Sequence, residues 1–142
     1  MKPRLRPSPS PRRSKSGWRQ ALGGRSHREG HAAEWIAALW LMLRGYQILA
    51  FRLKGRGGEI DILARRGRIL AVVEVKRRRT IEAAILSLGP EQHARLAAAG
   101  QALARSRPSL QGLTLRIDMV ALAPGRFPRH LRGVTTTGTD IA

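Results

Sequence analysis

Apolar residues recur along this chain in two rhythms, and the changes between them mark its elements. From about Arg28 to Arg44, Ala33, Ile36, Ala37, Trp40 and Leu43 fall at three- and four-residue spacing, which predicts a helix stopped by Gly45. Trp35, Leu39 and Met42 widen its apolar face, so the helix is expected to be buried on more than one side, with Trp35 and Trp40 in the core. Glu34 lies within this stretch, and on composition alone it reads as a solvated edge. Tyr46 to Lys54, Glu59 to Arg65 and Arg68 to Lys76 then read as three strands. Gly55-Arg56-Gly57-Gly58 joins the first two, where a plain hairpin turn is expected, and Arg66-Gly67 turns between the second and third. Gly89-Pro90 opens a second amphipathic helix, with Leu96, Ala97, Gly100, Leu103 and Ala104 as its apolar set. Thr114 to Leu122 reads as a fourth strand, after which Pro124, Gly125 and Pro128 end regular structure. The order helix, three strands, helix, strand predicts a mixed α/β (α+β) layer structure, a short hairpin sheet covered by helices.

The flanks are different in character. Residues 1–28 hold four prolines, several serines and nine of the chain's basic residues, and no acid precedes Glu29. Such a segment buries too little apolar surface to offset its chain entropy and is expected to be a flexible basic arm. Its composition also fits an organelle transit peptide, but it lacks the amphipathic helical pattern of one. The expected organisation is therefore an arm at 1–28, a folded domain at 29–123 and an irregular tail at 124–142.

Within the domain, the hairpin carries the chemistry. Side chains alternate along a strand, so Glu59, Asp61 and Leu63 share one face and Leu70, Val72, Glu74 and Lys76 share another. A two-residue Arg66-Gly67 loop, or a four-residue loop from Arg65 to Arg68, sets Leu63 opposite Leu70, Asp61 opposite Val72 and Glu59 opposite Glu74. Asp61 and Glu74 then become diagonal neighbours on one face. A three-residue loop would separate them. Carboxylates gathered beside apolar residues repel one another and call for compensation. Lys76 is the local cation, and a hard divalent ion, Mg²⁺ or Mn²⁺, takes oxygen ligands of this kind. Bound there, such an ion would polarise a phosphodiester and make hydroxide available near neutral pH.

Charge points to the same partner. The 142 residues contain 27 Lys and Arg, nearly all of them arginine, against 9 acids, a net charge of +18. Setting the arm aside leaves an excess of nine positive charges, so the body is basic in its own right. This excess favours a polyanion, and nucleic acid over a membrane, because the longest apolar run is far short of the ~20 residues a spanning helix needs. Arg52, Arg56, Arg65, Arg66, Arg68, Arg77, Arg78 and Arg79 are the expected phosphate contacts, independent of sequence. The absence of cysteine excludes disulfides and thiolate metal sites and suits a reducing, cytoplasmic setting, nucleoid-associated if nucleic acid is the partner. His93 and His130 have no partner at ligand spacing and read as surface histidines. Aromatic residues are too scarce for a base-stacking platform.

Those residues carry a family resemblance. The run GGEIDILAR…RILAVVEVKRRR resembles the core of the bacterial YraN-type family, proteins of uncharacterised function with an endonuclease-like fold. The likeness extends from about Gly30 to Val120. Gly30 and Glu34 match its first-helix Gly-x-x-x-Glu, Gly58-Glu59-Ile60-Asp61 its Gly-Glu-Ile-Asp, and Glu74-Val75-Lys76 its Glu-Val-Lys. Arg116-Ile117-Asp118 matches its late Arg-Phe-Asp with the aromatic replaced. The arrangement is similar to the PD-(D/E)xK nuclease superfamily and, within it, to archaeal Holliday junction resolvases.

The resemblance implies a restriction-endonuclease-like core, with Asp61, Glu74, Lys76 and Glu34 as the catalytic set. Asp61, Glu74 and Glu34 would be the metal ligands, with Glu59 and Gln92 secondary. Where relatives usually have lysine before the glutamine, this chain has Glu91, which weakens a phosphate contact from that position. The leading expectation is a Mg²⁺-dependent, structure-directed DNA endonuclease, with DNA favoured over RNA and a homodimer left open. The alternative is a non-catalytic basic nucleic-acid-binding protein that retains the nuclease fold. A third, RNA- or ribosome-associated, rests on charge alone.

Overall fold

The computed structural model describes residues 25–55 and 58–135. Helix α1 (Arg25–Leu43) leads into strands β1 (Gln47–Gly55), β2 (Gly58–Arg66) and β3 (Ile69–Arg77). Then come α2 (Ile81–Leu86), α3 (Pro90–Ser106), a single 3₁₀ turn, β4 (Thr114–Leu122) and β5 (Arg129–Leu131). The strands form one sheet in sequence order, antiparallel except for the parallel β3–β4 pair. The parallel step requires a crossover, which α2 and α3 supply. The result is a five-stranded mixed sheet with flanking helices, the architecture of a restriction-endonuclease-like core.

Hydrophobic burial decides which strand is central. Leu70, Ala71, Val72 and Val73 of β3 are all buried, an unbroken apolar run of the kind a strand covered on both faces shows. On one face Ala33, Ala37, Ala38 and Leu41 of α1 pack on Ile62, Ala64, Ala71, Val73 and Val120. On the other, Leu96 and Ala99 of α3 pack on Leu63, Leu70, Val72 and Ile117. Farther along that side of β4, Ile81 and Ala84 of α2 meet Met119 and Ala121.

The structure corrects several expectations. Helix α1 is buried on one side only: its small residues face the sheet, while Trp35, Ile36, Leu39, Met42 and Leu43 are exposed. The first helix begins at Arg25, inside the segment expected to be an arm, while residues 1–24 lie outside those described. Part of the expected tail forms β5, which pairs with β4 through Met119↔Leu131, Val120↔His130 and Ala121↔Arg129. Helix α2, capped by the Thr80 hydroxyl accepting from the Ala83 N–H, has too short a pattern to register as a period.

Candidate functional site: a carboxylate cleft at the β2–β3 seam

The β2–β3 hairpin closes on Gly67-Arg68, one residue later than Arg66-Gly67, with Arg66 paired to Ile69 and Leu63 to Val72. Gly67 takes the left-handed φ of +62° that the turn needs. Both loops contain two residues, so face parity survives while the register moves by two. Past the last ladder pair, Ile62↔Val73, the next positions on the two strands are Asp61 and Glu74. Continued by one step, this register sets them opposite each other in place of the expected diagonal.

Strict alternation also fails at Asp61. Ile62 packs in the α1-side cluster but Ile60 in the α3-side cluster, so β2 turns over at the residue between them. Across from it on β1, Arg52 holds a left-handed backbone, φ +44°, which costs a non-glycine residue ~1 kcal/mol. Freed from the ladder, Asp61 uses its side chain instead: its Oδ2 accepts the Val75 N–H at 2.8 Å.

Glu74 is 6% exposed, one of two buried charged residues in the described core. Its Oε2 accepts the Gln92 side-chain N–H at 2.9 Å and lies 3.2 Å from Lys76 Nζ. Burial and the neighbouring Asp61 push the Glu74 carboxyl up to about 7, with Lys76 opposing them. Burial raises Asp61 as well, against the Val75 N–H. The two carboxyls are close enough that each affects the other's ionisation, so they titrate as a pair and both favour the protonated form more than in water.

Gly58, Glu59, Asp61, Glu74, Gln92, Arg95 and Leu96 line an open cleft of about 440 Å³. A larger depression, about 530 Å³, lies along Leu53, Ile60 and Leu103 and contains no carboxylate. Donor chemistry therefore identifies the site, and size does not.

The other expected residues divide. Burial raises the Glu34 carboxyl, with smaller contributions from the charges of Asp61 and Glu59, but its side chain is ion-paired with Arg52, which opposes the shift. Arg52 is thus occupied by a carboxylate, where a phosphate contact was expected. Arg77, Arg78 and Arg79 follow directly on Lys76 and are exposed at the cleft end of β3. Arg65, Arg66 and Arg68 are at the opposite end of the hairpin, roughly 15 Å of strand away from Asp61. Arg66 stacks over the Tyr46 ring there, and Arg65 donates to the Gly67 carbonyl. Arg56 lies outside the described residues. Glu91 is exposed in the first turn of α3, where a carboxylate suits the helix dipole, and does not line the cleft.

Sequence reasoning missed Arg95. It stands one turn after Gln92 on α3, and that i, i+3 spacing was the available signal. It also missed a second polar cluster on β4. Asp118, fully buried, accepts two hydrogen bonds from Arg116, one from the Gly133 N–H, and lies 2.8 Å from His130 Nε2. Arg116 also donates to the Tyr46 hydroxyl at 2.6 Å. His130, expected at the surface, is therefore buried, and His93 is tied to the Val134 carbonyl.

The model of an uncharacterised protein family, UPF0102, matches residues 33–122, from Ala33 in α1 to the end of β4. The chain belongs to this family, whose members are of the YraN type. A UPF0102 protein of Caulobacter vibrioides is 53% identical over 116 residues, covering 82% of this chain and 93% of its own. One of Paramagnetospirillum magneticum is 51% identical over 110 residues (75% and 85%), and one of Methylorubrum extorquens 47% over 106 (75% and 83%). The matched UPF0102 segment includes Glu34, Asp61, Glu74, Lys76, Gln92 and Arg95, but stops short of β5 and His130.

Proposed function

We propose that this UPF0102 protein is a metal-dependent, structure-directed DNA endonuclease acting at the Asp61–Glu74 cleft. The observation that carries the reading is a buried Glu74 and a half-buried Asp61 next to each other, with Lys76 3.2 Å from Glu74, at a cleft open to solvent. A divalent cation would offset the repulsion that adds to burial in raising both carboxyls, and Mg²⁺ is commonly held by one or two carboxylates together with water and substrate phosphate. Asp61 and Glu74 fit that donor set, while Glu34 would have to leave Arg52 to join it. When bound, the ion would supply Lewis-acid polarisation and a more acidic water.

The chain's own groups do the rest. Lys76 balances negative charge developing on the phosphate as water adds to phosphorus and the phosphodiester P–O bond breaks. Gln92 holds the Glu74 carboxylate in one orientation. Arg95 and Arg77–Arg79 steer the nucleic-acid backbone without reading its sequence. The test is a cleavage panel of linear, forked and four-way DNA in Mg²⁺ and Mn²⁺. Cutting that is lost in Asp61→Asn and Glu74→Gln, both still folded, supports the reading. No cleavage of any DNA or RNA form in either metal sinks it.

One observation favours a second reading. Among the described residues, no three His, Cys, Asp or Glu groups are gathered closely enough to hold a metal. A nuclease fold that only binds nucleic acid predicts salt-sensitive binding that survives, or tightens in, Asp61→Asn, because that change removes negative charge near phosphates.

A further inference from the structure

Helix α1 turns two faces in opposite directions. Ala33, Ala37 and Leu41 are buried against the sheet, and Glu34 lies on that side with Arg52. At 100° per residue, Ile36, Leu39, Met42 and Leu43 occupy the opposite arc together with Trp35, whose ring also meets Phe51 at 5.0 Å. Trp35, Leu39, Met42 and Leu43 have the i, i+4, i+7, i+8 spacing of a helix–helix seam. All five are exposed, from 44% for Met42 to 79% for Leu43, and no charged or polar residue interrupts them. Phe127, 82% exposed and stacked on Trp40, extends the patch at one edge.

From these observations we infer that the outer face of α1 is a self-association surface, on which a second copy of this chain packs α1 against α1 about a two-fold axis. This does not rest on the nuclease reading, since it uses none of the cleft residues. The area is sufficient. Taking an aromatic side chain as ~200 Å² and the aliphatic ones as somewhat less, the exposed portions come to roughly 600 Å² per copy. That is at the upper end of what a monomer leaves open. Two copies would bury roughly 1,200 Å² before any rim residue is counted, which reaches the range of specific interfaces.

Charge confines a like partner to this stripe. The chain carries +18, so an acidic partner would be drawn to its arginines, whereas this uncharged stripe is where two basic copies can meet without opposing like charges. An isologous contact also needs only one self-complementary patch. The dimer would set the two clefts in a fixed relation, each behind its own α1.

Sedimentation equilibrium of the full, nucleic-acid-free chain tests the inference. Wild type is expected at twice its 15.7 kDa mass, and Leu39→Glu at 15.7 kDa, with association weakened at least ~100-fold and an unchanged circular dichroism spectrum. Because the chain has no cysteine, Leu39→Cys supplies a second readout that does not depend on disrupting the patch. It should form an intermolecular disulfide under mild oxidation, while Arg68→Cys, in the exposed hairpin turn, should not. A wild-type monomer at about 100 µM overturns the inference, as does a dimer that Leu39→Glu leaves intact or equal crosslinking at both positions. Binding of the monomer to phosphatidylglycerol vesicles that Leu39→Glu abolishes would also overturn it, by assigning the face to a membrane surface.

Discussion

Glu74 and Asp61 are held where ionisation is costly, and this cost can be measured. The Glu74 carboxyl keeps its proton up to about pH 7 in the fold, against an ordinary value of 4.5. A raised carboxyl favours the folded state fully below the ordinary value, and that advantage is lost as pH rises through 7. In EDTA at pH 8, Glu74→Gln should therefore be more stable than wild type by about 2 kcal/mol, and the gap in thermal midpoint should close near pH 5. A less stable variant at pH 8 would contradict the burial argument. The same cost is what a divalent ion would relieve. Mn²⁺ should raise the melting temperature of wild type more at pH 8 than at pH 6, because it displaces a proton, and should not raise that of Asp61→Asn. Asp61, Glu74 and Lys76 were legible in the sequence because charges that interrupt apolar strands stand out. Arg95 and the Glu34–Arg52 pair were not, since each depends on how separate elements are set against one another.

Among the elements, α3 depends most closely on a single position. A Cβ at Gly100 would fall 2.8 Å from Val72 Cγ2 and 3.1 Å from Leu115 Cδ1. Val72 is fully buried and stiff at χ1, so it cannot move aside cheaply. Gly100→Ala gains up to ~1 kcal/mol of helix propensity but overpacks the seam at a typical cost of ~1–3 kcal/mol. The net expectation is destabilisation by about 1 kcal/mol, read from the urea midpoint; a more stable variant would show that the helix can rise off the sheet. The same seam carries Gln92 and Arg95, so the close approach at Gly100 bears on the cleft. At this scale α1, α3 and strands β1 to β4 were legible from their periods, while α2 and β5 were too short to show one. The hairpin register was not, because Arg66-Gly67 and Gly67-Arg68 both make two-residue loops with the same parity. Nor was the inversion of β2 at Asp61, which needs the matching irregularity at Arg52 on the neighbouring strand.

Across the molecule, the Asp118 cluster joins the ends of the fold. Arg116 and Asp118 on β4 reach Tyr46 before β1, His130 on β5 and Gly133 beyond it, which ties together segments about 70 residues apart. Burial works to raise the Asp118 carboxyl, but hydrogen bonds from His130, Arg116 and Gly133 outweigh it and hold it below its usual value. A lowered carboxyl stabilises the fold fully above its ordinary 3.8, and that contribution is lost as pH falls through the lower folded value. Asp118→Asn leaves Arg116 without its buried partner and should destabilise by about 3 kcal/mol at pH 7, measured by chemical denaturation, and should blunt acid unfolding below pH ~4. Local patterning by itself determined α1, α3, the four longer strands and the carboxylates of the hairpin, because side-chain periodicity and charge are properties of neighbours in sequence. Only the tertiary structure decided that Asp61 and Glu74 come opposite each other in register, that Glu34 is held by Arg52, that β5 and His130 complete the Asp118 cluster, and that the apolar outer side of α1 stays exposed among the described residues. Each of those depends on contacts between residues far apart in the chain, whose positions no local period specifies.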